Sequence, residues 1–323
     1  MSDKARARSY EPRRKPEDTH VAVLMGGWSS EREVSLASGR AVAEALKTCG
    51  YTVTEVDVDR DIATRLKEIA PDVAFNALHG RFGEDGCMQG LLEILDIPYT
   101  HSGVLASSLA MDKHRAKALF REAGVPVAES RLVPLEDAAA AHPMSPPYVI
   151  KPVAEGSSVG IHIVHSQFEE PVGQLADERD IFGDVVMVER YAPGRELTCA
   201  VMGDVALGVL EIVPRKGSFY DYASKYEEGG SDHICPADIP ASVYYRVQVH
   251  ALAAHRALGC RGVTRADFRY DDTAGEDADL ILLEINTQPG MTQTSLLPDI
   301  ARVAGHSFEE LVMWMVDDAS TGR

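Results

Sequence analysis

Two short apolar segments near the C-terminus carry the side chains best suited to chemistry. Arg265 and Asp267 lie in Val263-Thr264-Arg265-Ala266-Asp267-Phe268. Glu284 and Asn286 lie in Ile281-Leu282-Leu283-Glu284-Ile285-Asn286. In an extended chain residues i and i+2 project to one face, so each pair points together. The turn-prone Asp271-Asp272-Thr273-Ala274-Gly275-Glu276-Asp277 between them predicts a hairpin. One sheet face then holds two carboxylates, an amide oxygen and a guanidinium. Hard oxygen donors without sulfur or histidine suit magnesium alongside phosphate oxygens. The competing reading is a solvated polar face on an edge hairpin. The apolar run ahead of Glu284 argues for burial, and buried carboxylates need a cation.

Three more segments could serve a nucleotide. Tyr148-Val149-Ile150-Lys151-Pro152 reads as a strand, and Glu155-Gly156-Ser157-Ser158-Val159-Gly160 as a Gly/Ser loop leading into another strand at Ile161. Small residues let backbone N–H groups close on phosphate oxygens, and Lys151 could add a charge. The loop lacks the Gly-Lys-Ser/Thr ending and the following helix of a Walker loop, so a plain turn remains open. Val185-Val186-Met187-Val188-Glu189 is an apolar strand ending in a carboxylate, either an acceptor for an adenine amine or an ordinary strand end. The segment 214–236 has little periodicity but includes Lys216, Phe219, Tyr220, Asp221, Tyr222, Lys225 and Tyr226. Structureless loops of that length are usually functional or disordered, and three tyrosines argue against disorder. A lid over a site is the sharper expectation; a packed surface loop is the alternative.

The elements that must position these groups follow from pattern. From His20 to about Thr100, strands at 21–25, 52–58 and 73–78 alternate with helices, which predicts a parallel sheet covered by helices. Ligands in such sheets bind at the carboxyl ends of strands, where Gly26-Gly27 and His79-Gly80 sit. Ser30-Glu31-Arg32-Glu33 reads as a capping box opening the first helix. Helical patterns run from Ala106 to Ala123. Pro143-Met144-Ser145-Pro146-Pro147 breaks the chain, mostly strands follow, a long helix is expected near 242–258, and a last one over 307–316. With 323 residues, 45% of them hydrophobic, the chain can build two or three domains. The expected division is a disordered tail over 1–19, an N-terminal α/β substrate domain over 20–105, a central lobe over 106–192 and a C-terminal lobe over 193–323.

Other function classes are disfavoured. A formal net charge of −18 disfavours a nucleic-acid footprint, which needs a basic face, while a local basic patch could still bind nucleotide phosphates. No run approaches the roughly 18–20 apolar residues of a spanning helix, and the polar start lacks the apolar core of a signal peptide. Cys49, Cys87, Cys199, Cys235 and Cys260 show no paired spacing, which fits free thiols in a reducing compartment.

Taken together, the segments resemble the ATP-grasp superfamily, whose members hold ATP between two α+β lobes, and within it the D-alanine–D-alanine ligase family. The likeness runs from about Val21 to Val316. It is carried by Gly26-Gly27 with Glu31-Arg32-Glu33-Val34-Ser35-Leu36, by Leu78-His79-Gly80 with Gly83-Glu84-Asp85-Gly86, and by Met111-Asp112-Lys113. The Gly/Ser loop, Phe219-Tyr220-Asp221-Tyr222 with Lys225-Tyr226, and 284–291 complete it. The resemblance implies an ATP-grasp fold, α/β and α+β, with an N-terminal parallel-sheet lobe, a small central lobe and a C-terminal lobe. It implies ATP and two magnesium ions, with manganese as a substitute, held by Asp267, Glu284 and Asn286. Lys113, Lys151 and Lys225 then contact ATP phosphates or the reacting carboxylate, and Glu189 and Glu196 the adenine and ribose. Glu31 receives the ammonium of the first D-alanine, with Ser157 and Tyr226 bonded around it and His79 nearby. Arg265 and the Gly290 N–H donate to the oxyanion, and Ser295 and Leu296 clamp the second substrate's carboxylate. A cytoplasmic homodimer joined through its N-terminal lobe, working in peptidoglycan precursor synthesis, is implied as well.

Each residue keeps a plainer reading on its own. Glu31 could cap its helix, His79 could be a core histidine, Lys113 a first-turn lysine after the N-cap Asp112, and Tyr226 lid packing. Ser157 could serve only the turn, and Arg265 could pair Asp267. In the family, tyrosine in the place of Tyr226 accompanies dipeptide formation and phenylalanine accompanies D-lactate use, which disfavours a depsipeptide ligase. A ligase for another amino acid and a nucleotide-binding regulator without turnover remain as rivals. The chain departs from the family's usual residues at Trp28, at Arg190 in the hinge, and at Gln288, which stands in the last turn where a small residue is commoner.

Overall fold

A computed structural model describes residues 10–154, 156, 160–215, 230–273, 279–292 and 295–323. The N-terminal lobe begins with β1 (His20–Met25), an apolar run buried from Val21 onward. A strand apolar on both faces belongs at the centre of a covered parallel sheet. It lies there, between β2 (Thr52–Asp57) and β3 (Val73–Asn76), parallel to both. The helices α1 (Arg32–Thr48), α2 (Ile62–Ile69) and α3 (Cys87–Ile94) connect and cover them. Gly26 and Gly27 leave β1 at φ +76° and +74°, a backbone that a side chain resists. The chain thereby turns at once into the segment that carries Glu31.

Next come α4 (Val104–Met111) and α5 (Lys113–Glu122). Asp112 divides what reads as one helical pattern, because its carboxylate accepts the Arg115 N–H and caps α5. The sequence places 106–125 in the central lobe. Instead Ala106, Ala116, Phe120 and Val125 bury against Leu197, Phe268, Leu280 and Leu282. The apolar side of α5 finds its partners on the C-terminal sheet, so the central lobe is built only from β4 onward.

That lobe is a four-stranded antiparallel sheet in the order β4 (Ser130–Pro134), β7 (Val185–Arg190), β5 (Tyr148–Pro152), β6 (His162–Val164). Its helices are α6 (Leu135–Ala140) and α7 (Arg179–Phe182). The expected hairpin around the Gly/Ser loop is present as β5 against β6. Within that loop, Glu155 and 157–159 lie outside the described residues.

The C-terminal lobe is a five-stranded antiparallel sheet ordered β10 (Ser231–Ile234), β9 (Val205–Pro214), β8 (Arg195–Met202), β11 (Val263–Tyr270), β12 (Leu280–Asn286). One face is covered by α8 (Ala241–Ala257). The chain ends with α9 (Leu296–Val303) and α10 (Phe308–Asp318). Leu296, Leu311 and Val316 share a core with Val21, Val42 and Leu46 of the N-terminal lobe. Close packing of this kind resists relative movement, so the two lobes meet as one body there.

Two further sequence expectations change. The tail is not loose up to Thr19. Tyr10 and the backbone of Arg13 and Arg14 bond the Asp317 carboxylate, with Arg13 N–H at 2.6 Å and Arg14 N–H at 2.8 Å, while residues 1–9 lie outside the described set. Together with Glu310 Oε1, which accepts the Tyr10 N–H, and the Asp317 and Ala319 carbonyls, which accept from the Arg13 and Arg14 guanidinium groups, acceptors at the last helix order a polar stretch that composition alone would leave disordered. The capping box at Ser30 does not form either. The N-cap is Glu31, without a side-chain cap bond. The preceding Ser29 hydroxyl is taken by the His79 carbonyl at 2.7 Å.

Candidate active site

The register of β11 and β12 sets the oxygen-donor face. Arg265 lies opposite Asn286, and Asp267 opposite Glu284. Directly opposed residues on one face come within about 5 Å at Cβ, and like charges there repel. Cations offset that repulsion. Arg265 forks onto Asp267, Nε to Oδ1 at 2.9 Å and Nη2 to Oδ2 at 2.6 Å, the strong bidentate form of such a pair. Lys113, in the first turn of α5, brings Nζ to 3.4 Å from Glu284 Oε2. Thr198 lies across from Asp267 on β8 and donates its hydroxyl to Oδ1 at 2.7 Å. Asn286 Oδ1 accepts the Gln288 N–H at 2.8 Å. Among the described residues no group of three or more His, Cys, Asp or Glu is placed to hold a metal ion by itself. The donor set here is two carboxylates and an amide, all oxygen, and it fits magnesium rather than a softer ion.

Beside this face lies a buried charge triad. Glu189, near the end of β7, is 3% exposed. Lys117 Nζ stands 3.1 Å from its Oε1 and Lys151 Nζ 2.9 Å from its Oε2. Burial alone would raise the Glu189 carboxyl pKa; the two ammonium groups overcome that and hold it below the usual range. Lys117 is fully buried, and burial pushes its ammonium down to about 8 against the pull of Glu189. Glu196 faces Arg269 across β8 and β11, with Nη1 to Oε2 at 3.2 Å. Arg269 also donates to the hinge carbonyl of Ala192 at 3.2 Å. A cavity of about 190 Å³ opens there, lined among others by Arg190, Tyr191, Ala192 and Arg269.

The third edge comes from the N-terminal lobe. His79 is buried, its Nδ1 3.0 Å from Glu84 Oε1 and its Nε2 3.2 Å from Ser38 Oγ. Burial raises the pKa of the Glu84 carboxyl, and the His79 bond only partly offsets this. The Glu31 carboxylate lies between Gly80 and Gly156. A methyl added to either glycine would come within 2.8 Å and 3.4 Å of Glu31 Oε2, respectively. At Gly156 that is an ordinary contact; at Gly80 the backbone itself, at φ +69°, resists a side chain. The Ser38 hydroxyl also accepts the Met291 N–H at 3.2 Å, tying the His79 edge to the turn that carries Gly290. A methyl at Gly290 would sit 2.9 Å from Ser295 Oγ. Ser295 is the N-cap of α9, and its Oγ accepts the Thr292 N–H at 3.0 Å. Leu296 follows, buried.

The described candidates thus fall into three groups. Asp267, Glu284, Asn286, Arg265 and Lys113 meet on the β11–β12 face; Glu189 and Lys151 meet in the triad, with Glu196 held apart from it on Arg269; Glu31, His79, Gly290, Ser295 and Leu296 line the junction with the N-terminal lobe. Ser157, Lys225, Tyr226 and residues 216–229 of the segment 214–236 expected to form a lid lie outside the described residues. Sequence reasoning missed Lys117, Thr198, Ser38, Glu84 and Arg269. Lys117 left a signal, since Lys113, Ala116, Lys117 and Phe120 recur at helical spacing and put a lysine on the apolar stripe of α5. Ser38 left none, because its partner Met291 lies 253 positions away.

Comparisons with known proteins agree with this arrangement. Residues 119–317 match the family described as D-ala D-ala ligase C-terminus, and 61–102 the one described as D-ala D-ala ligase N-terminus. A D-alanine–D-alanine ligase of Parvibaculum lavamentivorans is 63% identical over 94% of this chain and 98% of its own length. A D-alanine–D-alanine ligase B of Mesorhizobium japonicum is 61% identical over 94% and 99%. Among solved structures, a D-alanine–D-alanine ligase from Bacillus anthracis complexed with ATP superposes with a TM-score of 0.75 at 28% identity, covering 93% of this chain and 97% of that one. With matched family profiles, relatives above 60% identity over nearly the whole length, and a shared fold, the chain belongs to the D-alanine–D-alanine ligase family.

Proposed function

We infer that the chain joins two D-alanine molecules into D-alanyl-D-alanine at the expense of ATP, as a carbon–nitrogen ligase that releases ADP and phosphate. The first D-alanine carboxylate attacks the γ-phosphorus, the bridging oxygen departs with ADP, and an acyl phosphate results. The amine of the second D-alanine attacks the acyl carbon, phosphate leaves, and a proton is released. What carries the reading is the contact of the His79 edge with the Gly290 turn through Ser38. It joins an amino-acid edge to the face of hard oxygen donors, in a chain 63% identical to a curated ligase.

Within this reading Asp267, Glu284 and Asn286 would hold two magnesium ions, which supply positive charge to the phosphate oxygens during transfer; manganese could substitute. Lys113, Lys151 and Lys225 contact the phosphates or the reacting carboxylate, Glu189 the adenine amine and Glu196 the ribose. Glu31 receives the first ammonium, with Ser157, Tyr226 and His79 around it. Arg265 and the Gly290 N–H donate to the tetrahedral oxyanion, an interaction worth several kcal/mol. Ser295, at the start of α9, and Leu296 receive the second carboxylate, because a helix N-terminus favours an anion. The acyl phosphate must be kept from water, the role that the resemblance gives to Tyr220–Tyr226. The protein works as a homodimer in the cytoplasm, supplying peptidoglycan precursor synthesis. Ile94 and Leu105, 83% and 69% exposed on helices that contact each other, are apolar side chains that a second copy would cover. No described helix is long and apolar enough to cross a membrane.

Oxygen transfer tests the acyl phosphate. With D-alanine labelled with ¹⁸O in both carboxylate oxygens, one label per dipeptide is expected in the released phosphate, read by mass. Unlabelled phosphate alongside labelled dipeptide would exclude the intermediate.

A further inference from the structure

Gln288 links both halves of this site. It follows β12 in the turn leading to Gly290 and is 1% exposed. Its backbone N–H donates to Asn286 Oδ1 at 2.8 Å. Its side chain points the other way, into the N-terminal lobe. There Oε1 accepts from Asn76 Nδ2 at 2.9 Å, and Nε2 donates to the Leu78 carbonyl, one residue before His79. Asn76 ends β3 and is fully buried. Its Nδ2 also donates to the Gly83 carbonyl at 3.0 Å, and its Oδ1 accepts the Leu78 N–H at 3.3 Å. Two buried amides, 212 positions apart in sequence, thus bond each other and the strand end that presents His79. Satisfied polar networks in a low-dielectric interior are rigid and specific, and a lost partner leaves a costly orphan.

Resting on the ligase reading above, we propose that Gln288, through Asn76, is a positioning residue that sets the first-substrate edge at a fixed place relative to Asn286 and the Gly290 N–H. One residue then holds the phosphate side by its backbone and the amino-acid side by its side chain. A shorter or apolar side chain leaves Asn76 Nδ2 and the Leu78 carbonyl without their partner, and the two edges lose their mutual reference. Reaction rates respond steeply to such displacement, by as much as about 10²-fold for 1 Å. Gln288 touches no expected ATP group with its side chain, so nucleotide binding is left in place.

The test compares Gln288→Ala, the similarly long Gln288→Met, Asn76→Ala and the Asn76→Ala/Gln288→Ala double variant in the full chain. It reads kcat, KM for D-alanine, KM for ATP and the melting temperature separately. Expected is a fall in kcat of about 10- to 100-fold with a raised D-alanine KM and an ATP KM near the native value. The double variant should be little worse than the worse single, the mark of coupled neighbours. Native kcat and D-alanine KM in a folded Gln288→Met overturn the proposal. So does loss of kcat that follows ATP KM and melting temperature together, which is a purely structural role. Absence of dipeptide from the unaltered enzyme would instead sink the ligase reading itself.

Discussion

Replacing Arg265 with alanine is expected to lower kcat by about 10²- to 10³-fold, the usual cost of one oxyanion donor, while the ATP KM moves less. The guanidinium is held in advance. Its fork onto Asp267 uses bonds of 2.9 and 2.6 Å, and Thr198 braces Asp267 from β8 at 2.7 Å. A donor fixed before reaction pays no reorganisation as negative charge gathers on the acyl oxygen. Arg265→Lys should recover only part of the rate, because an ammonium is a point charge and cannot keep the planar fork. Steady-state kinetics with each substrate varied in turn checks this. An unchanged kcat in Arg265→Ala would leave Arg265 as a structural partner of Asp267 and nothing more.

Glu189→Gln is expected to cost about 3–5 kcal/mol of folding stability at neutral pH, the range for a broken buried ion pair. The amide keeps the shape and removes the charge that lies between Lys117 at 3.1 Å and Lys151 at 2.9 Å. Lys117 then has to stay buried as an uncompensated cation or give up its proton. The pH dependence follows from its direction of shift. Its folded pKa, about 8 in the native protein, lies below the unfolded lysine value near 10.4, and loss of Glu189 moves it lower still. Where the unfolded chain binds more protons, stability rises with pH. The deficit relative to the native protein should therefore be larger at neutral than at alkaline pH, shrinking as pH rises past 8. Urea midpoints at neutral and alkaline pH read it directly; a deficit that stays constant or grows with pH contradicts the triad's role. The ATP KM should rise as well, because Lys151 loses the partner that orients it.

Much of the site was legible because strand periodicity is simple. Alternation alone put Arg265 with Asp267 and Glu284 with Asn286, and the Gly/Ser loop between two strand-like runs marked the β5–β6 hairpin. The register that sets Asp267 against Glu284 was not legible, since it depends on a pairing irregularity beside Phe268. The parallel N-terminal sheet followed from alternating strands and helices. Where α5 packs did not, because an amphipathic helix states that it needs an apolar surface without saying which one. Long-range polar partners were the hardest to foresee. Asn76 and Gln288, Ser38 and the Met291 backbone N–H, and Tyr10 and Asp317 carry no mark of their pairing until the fold brings them together. Gln288 still drew notice as a departure from the usual small residue, and its reach into the N-terminal lobe is what a small residue could not supply.

Magnesium-dependent phosphate release from ATP tests the central claim most directly. It would be measured with D-alanine, with L-alanine, and with D-alanine plus D-lactate, and the products identified by mass. The account predicts one phosphate per D-alanyl-D-alanine from D-alanine alone, none with L-alanine, and dipeptide over depsipeptide in the mixture. Tight ATP binding without turnover on D-alanine, or release only with a different amino acid or with D-lactate, would contradict it.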